Sequence, residues 1–190
     1  MEKAKNKNRQ ISPNLLKVVK IASSGRYEEA LNAINLIKKE NRGNPFFFNT
    51  LGIIYRRLKE YREAEKACKK ALSLMPSFTQ AQVNLASVYL EREDLDKAIE
   101  LLQIVLKKRP AYPEALSNLA YALKKMGSYS KAESNYSKSL RLNPDLAKAK
   151  FNHGLTLLTL GKFKEGWEKY EYRWKVDPGD KVVWPLKDKP

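Results

Sequence analysis

The chain has 190 residues, 43% of them apolar and 31% charged, a balance that suits a folded, water-soluble protein and excludes an extended disordered chain. Cys68 is the only cysteine and His153 the only histidine, which excludes an intrachain disulfide and a cysteine-built zinc site, and leaves no metal and no cofactor expected. The formal net charge of +16 invites an acidic partner without choosing among nucleic acid, anionic membrane and acidic peptide.

In chain order, residues 1–10, MEKAKNKNRQ, read as a short, basic, disordered arm that lacks the apolar stretch of a secretory signal. No run approaches the roughly 18 to 20 apolar residues that a membrane span needs, so a cytoplasmic location is expected. From residue 11 the chain repeats. Pro76, Pro110, Pro144 and Pro178 stand 34 residues apart, defining units 11–44, 45–78, 79–112, 113–146 and 147–180. One column reads Ala30, Ala64, Ala98, Ala132, Gly166; another reads Tyr27, Tyr61, Leu95, Tyr129, Phe163; a third reads Val18, Gly52, Ala86, Ala120, Gly154. Small residues at fixed points let two helices approach closely, so Gly154 and Gly166 are expected where a methyl group would collide. Within a unit, Leu85, Ala86, Tyr89 and then Leu95, Ala98, Leu102, Val105 show the helical period twice, broken near EREDL. Each unit therefore reads as a helix, a tight turn and a second helix, with the proline after the second. Residues 181–190 are left as a C-terminal extension or truncated linker.

Phe48, Leu51, Gly52, Tyr55, Ala64, Cys68, Ala71 and Pro76 resemble the tetratricopeptide-repeat (TPR) pattern W-x2-L-G-x2-Y, A-x3-F and P, with Phe for Trp and Cys for Phe. The resemblance covers about 170 residues, and the first unit, with Val18 at the small position and Arg42 at the proline position, looks like a capping repeat. It implies an all-α fold, a right-handed α-solenoid of five 34-residue helix–turn–helix repeats whose first helices form a concave, partner-binding groove.

Cys68 and His153 lie in columns that face the core, so both read as packing residues, and with no phosphate loop or paired acids the chain is not expected to be an enzyme. Core positions on the third unit's first helix leave Gln80, Val83, Ser87, Leu90 and Glu91 for the groove, with Asn84 at its edge. The column Asn84, Asn118, Asn152, preceded by Thr50 with Asn49 beside it, is similar to the asparagine ladder of O-linked N-acetylglucosamine transferases. A carboxamide both donates and accepts, so such a column could hold an extended peptide backbone; the alternative is that it bonds only its own helices or solvent. Arg56, Arg57, Tyr121, Lys124, Lys125 and Lys148 are candidate additions to this peptide-binding surface and make it mildly basic, which favours acidic segments. The two-carboxylate clamp of chaperone-binding TPR proteins is not evident, with Leu15 and Val19 at its first-unit positions. Lys39, Ser73, Lys107, Arg141 and Lys175 mark the ends of the second helices, where cations offset the helix dipole.

In KFKEGWEKYEYRWK, residues 162–175, Phe163, Trp167, Tyr170 and Trp174 fall on one helical stripe. Phe163 and Tyr170 occupy core columns, whereas Trp167 and Trp174, with Trp184 beyond, read as an end face for a partner or for a second copy of the chain. Gly161, Phe163, Gly166, Trp167, Tyr170, Glu171, Arg173 and Trp174 resemble the final repeat of bacterial TPR proteins that lead into a glycosyltransferase-like domain. Three functions follow as expectations: a protein-interaction scaffold binding extended peptides, the recognition arm of a glycosyltransferase whose catalytic domain is absent here, and, as the weakest, nucleic-acid binding through basic surface.

Overall fold

Two helix starts in this chain are written in a short polar residue followed by proline. Ser12 accepts a hydrogen bond from the Leu15 N–H at 3.2 Å, and Asn44 Oδ1 accepts from the Phe46 and Phe47 N–H groups at 3.0 and 3.4 Å. Proline follows each cap, at Pro13 and Pro45, where its missing N–H is no loss. The computed structural model describes residues 11–176; the expected arm at 1–10, Pro178, the extension at 181–190 and Trp184 lie outside the described residues.

Among the described residues the chain is all-helical. The helices are α1 (Pro13–Ser23), α2 (Tyr27–Leu36), α3 (Pro45–Arg57), α4 (Tyr61–Leu74), α5 (Thr79–Glu91), α6 (Leu95–Lys108), α7 (Pro113–Lys125), α8 (Tyr129–Leu142), α9 (Ala147–Thr159), α10 (Phe163–Tyr170) and α11 (Arg173–Val176). First helices end at Ser23, Arg57, Glu91, Lys125 and Thr159, and second helices begin at Tyr27, Tyr61, Leu95, Tyr129 and Phe163, each series on the 34-residue spacing.

The turn between them repeats in its backbone. Gly25, Lys59, Glu93, Gly127 and Gly161 all have positive φ, between 62° and 82°. In the second unit the Lys59 N–H donates to the Arg56 carbonyl at 3.1 Å and the Glu60 N–H to the Tyr55 carbonyl at 2.9 Å, and the same pair of bonds recurs at Glu93, Gly127 and Gly161. This is the Schellman closure of a helix, which requires one left-handed residue.

The helices form two compact units, one ending at Lys108 and one beginning at Arg109. In the first, α1 to α6 pack in succession, with α1 also on α3 and α3 on α5. Its core includes Leu15, Val18, Ile34, Phe47, Leu51 and Ile54. In the second, α7 to α10 pack in succession, α11 joins α9, and Ala120, Ala132, Tyr136 and Ala149 form a core cluster. Consecutively packed helix pairs are the all-α solenoid architecture of repeat proteins.

The small columns do what their size implies. A Cβ on Gly154 would lie 2.7 Å from the Tyr170 backbone nitrogen, one on Gly166 would lie 2.8 Å from Leu158 Cδ2, and one on Gly52 would lie 2.6 Å from Cys68 Sγ.

Two second helices depart from the period. α2 stops at Leu36, and turns follow as Asn41 donates its side chain to the Ile37 carbonyl at 2.9 Å; Lys39 therefore lies past the helix rather than at its end. α10 stops at Tyr170, where the Tyr172 N–H reaches back three residues to the Lys169 carbonyl. Trp174 thus belongs to the one-turn α11 and not to a continuous stripe with Trp167. Phe163, expected in the core, is 62% exposed, and among the described residues no further helix pair packs on α10.

Candidate functional site

On the first-helix side of the first unit, α3 and α5 meet through polar residues. The Asn84 side chain donates to Asn49 Oδ1 at 2.8 Å, and both residues are buried. Thr50, in the asparagine column itself, turns its hydroxyl to the Phe46 carbonyl at 2.9 Å. Arg56 is ion-paired to Glu91, with its Nε buried and unbonded, so its charge is neutralised within the unit. Both pairs join residues 35 apart, one repeat plus one position. Arg57 lies elsewhere: its guanidinium carbon is 5.9 Å from the centroid of the Tyr27 ring, on α2. Val83 and Leu90, expected to line a groove, are buried, so the polar edge is narrower than the spacing implied.

In the second unit the equivalent side is built by α7 and α9. Lys124 is half-buried; its Nζ donates to Asn152 Oδ1 at 3.0 Å and lies 5.2 Å from the Tyr121 ring centroid. Asn152 donates in turn to the Lys148 carbonyl at 3.0 Å. Burial, and then the neighbouring Lys125, hold the Lys124 ammonium below its ordinary pKa. Asn118 is half-buried, and Lys125 and Lys148 are exposed. The structure therefore joins Asn49 with Asn84, and Lys124 with Tyr121 and Asn152, and it gives Asn84 and Asn152 bonds to their own unit.

A third polar cluster was not foreseen. Glu65 on α4 accepts from Lys69 Nζ at 2.7 Å and from the Tyr89 hydroxyl at 3.3 Å, and it pairs with Arg92 just past α5. The Lys69 hydrogen bond is the largest influence holding its carboxyl below the usual range. Lys69 lies one turn along α4 from Glu65, whereas Tyr89 and Arg92 are 24 and 27 residues from it, away from any column, so only the packing of α4 on α5 brings those two to it.

The two reactive-looking residues are packing residues. Cys68 is buried against Gly52, and burial pushes its thiol up to about 12. His153 is buried and stacked on Tyr136, ring centroids 5.8 Å apart. Its Nε2 stands 3.6 Å from Glu133 Oε1, too far for a hydrogen bond. Burial first, and then Lys169, lower its pKa, while Glu133 and Glu165 pull the other way. Among the described residues no group of side chains is arranged to hold a metal ion, and no helix is long and apolar enough to cross a membrane.

At the end of the second unit Trp167 meets Tyr170 edge to face at 5.4 Å, and Arg173 lies 4.4 Å from the Trp174 ring centroid. Both tryptophans remain about half exposed, at 57% and 46%.

No curated protein matches the chain. Tetratricopeptide-repeat family patterns match residues 55–119 and 113–146. Among solved structures, TTC0263, a thermophilic TPR protein of Thermus thermophilus, is similar at 21% identity over 88% of this chain and 91% of its own, with a TM-score of 0.76. MamA from Desulfovibrio magneticus RS-1 is similar at 19% identity over 90% of this chain and 99% of its own, with a TM-score of 0.64. YrrB, described as a TPR protein with an unusual peptide-binding site, is similar at 20% identity over 93% and 91%, with a TM-score of 0.56. Matched columns, repeated turns and consecutive helix pairs agree: the chain belongs to the tetratricopeptide-repeat family, whose helix pairs are scaffolds for protein–protein interaction.

Proposed function

We propose that this protein is a non-catalytic scaffold that holds extended segments of partner proteins against the first helices of its repeats. The observation that supports this reading is the placement of carboxamides on that side of both units: Asn84 with Asn49, and Asn152 with Lys124. A carboxamide has two N–H donors and a carbonyl with two lone pairs, so the internal bonds of Asn84 and Asn152 leave capacity for a peptide backbone. Each such bond contributes about 0.5–1.5 kcal/mol net, so a few of them give weak, sequence-tolerant capture. YrrB, with the same fold and a described peptide-binding site, makes this use of the scaffold a natural one. The test is a peptide array probed with the wild type and with Asn84→Ala, Asn118→Ala, Asn152→Ala combined. Capture should drop about tenfold while far-UV circular dichroism is unchanged; undiminished capture would reject the reading.

A second reading is favoured by the exposed Phe163, Trp167 and Trp174. In it the end of the second unit docks a folded partner or a catalytic domain of the glycosyltransferase kind that the GKFKEGWEKYEYRW segment resembles. Trp167→Ala would then weaken that docking and leave array capture intact.

A further inference from the structure

The end of the second unit carries an apolar strip bordered by charges of both signs. α10 turns Gly166 and Tyr170 toward α9: a Cβ on Gly166 would lie 2.8 Å from Leu158 Cδ2, and the Tyr170 ring centroid is 5.5 Å from that of Phe151. At 3.6 residues per turn, Phe163, Trp167, Glu171 and Lys164 fall within about 100° on the adjoining side of the helix. All four are exposed, Phe163 by 62% and Trp167 by 57%. Trp167 is held edge to face on Tyr170, 5.4 Å between centroids, so its ring is positioned before anything docks on it.

The border narrows the choice of what covers this strip. Glu168 and Glu171 are exposed beside the rings and would repel the phosphates of a nucleic acid or an anionic membrane. Aromatic residues inside a polar, charged rim are instead the make-up of a protein–protein contact. Here the rim complements itself. A second α10 laid antiparallel on the first, with the two-fold axis at Trp167, reverses the order of residues across the contact. Lys164, three positions before the centre, then comes level with Tyr170 and Glu171 of the other copy, and the same pair forms twice. The exposed parts of Phe163 and Trp167 from both copies amount to about 400 Å². A stable complex buries roughly 1,200–2,000 Å², so this pair is a transient one.

We propose that the exposed side of α10 is a self-association surface, on which a second copy of this chain pairs antiparallel about Trp167, with Lys164 of each copy set against Glu171 of the other. The occupant is neither the extended segment nor the foreign domain of the two readings above. Within its own copy Glu171 is paired to Arg173 at 2.7 Å, so in the dimer it bridges Arg173 and the facing Lys164. The net charge of +16 opposes the approach of two copies, but at physiological ionic strength it is screened beyond about 8 Å, which leaves the close pairs to decide. A dissociation constant of about 10–100 µM is expected.

The experiment is sedimentation velocity on the full chain from about 5 to 500 µM in about 0.15 M salt. The wild type should pass from monomer to dimer within that range. Trp167→Ala should weaken the dimer about tenfold with far-UV circular dichroism unchanged. Lys164→Glu alone and Glu171→Lys alone should each weaken it by about three- to tenfold, since each sets like charges opposite one another at both contacts. An equimolar mixture of these two variants should dimerise again, because in the mixed pair both contacts join opposite charges. Both variants remain strongly positive overall, so bulk attraction cannot draw them together. Lys131→Glu, the same change of charge at an exposed site on α8, should leave the dimer as it is. Equal loss in Lys131→Glu, or a mixture that fails to recover, would overturn the pairing. A wild type that stays monomeric throughout, its strip covered by the chain's own residues 177–190 or kept for a different protein, would overturn it as well and leave the two readings above standing.

Discussion

Residues 59 and 93 hold the same left-handed turn that Gly25, Gly127 and Gly161 hold, but as lysine and glutamate. A side chain there raises the backbone energy by about 1–2 kcal/mol, which glycine avoids at some loss of chain entropy. Lys59→Gly and Glu93→Gly should each raise stability by roughly 0.5–1 kcal/mol in urea denaturation, and Gly127→Ala should lower it by about 1 kcal/mol. The glycines of this column stand on the 34-residue spacing in the sequence, yet the column is hidden because two of five members break it. His153 offers a second residue-scale test. Its folded pKa lies below the unfolded value near 6.5, so the unfolded chain takes up the proton first as pH falls. The neutral imidazole is without effect above about pH 7, and stability is lost as pH drops from there through the lowered folded pKa. His153→Leu, which restores the leucine of positions 51, 85 and 119, should flatten the melting temperature between pH 7 and pH 5; an unchanged slope would place the pH dependence elsewhere.

Between elements, the same kind of close contact is made in two ways. At α3–α4 an added methyl on Gly52 would strike the Cys68 side chain, whereas at α9–α10 one on Gly154 would strike the backbone of Tyr170 and Gly166. Gly52→Ala should cost about 1–3 kcal/mol and recover much of that in combination with Cys68→Ala, a coupling readable in a double-mutant cycle. Gly154→Ala should cost as much or more, and no side-chain truncation should rescue it, because α10 itself must move. The alternation of helix, turn and helix and small contacts of this kind were legible in the sequence, since each depends on a 34-residue spacing that most of the repeats reuse. The pairing of polar residues was not. Asn84 meets Asn49 rather than Thr50, and Arg56 meets Glu91, because α3 packs on α5 with an offset of one residue that no single column records. Val83 and Leu90 were read as groove residues for the same reason: a repeat considered alone does not show what its neighbour covers. Interrupted α10 was equally hidden, as Glu171 and Tyr172 carry no proline or glycine to mark the break.

At the scale of the whole molecule, the net charge of +16 is distributed unevenly in chemical meaning. Some cations are neutralised by partners, as Arg56 is by Glu91 and Arg92 by Glu65, whereas Lys124 is held by neutral groups. Two compact units, each with its own packed helices, also mean that stability is carried locally, as in other repeat proteins. All three tryptophans fall at or after residue 167, and the two that are described stand half exposed on α10 and α11. With excitation that spares tyrosine, the emission of Trp167 and Trp174 is therefore a private optical reporter of α10 and α11, and α1 to α6 hold no tryptophan to add to it. Circular dichroism samples every helix. In a urea titration the emission change should precede the loss of ellipticity, whereas superimposed curves would mean that the end of the second unit and the helices of the first unfold as one cooperative block.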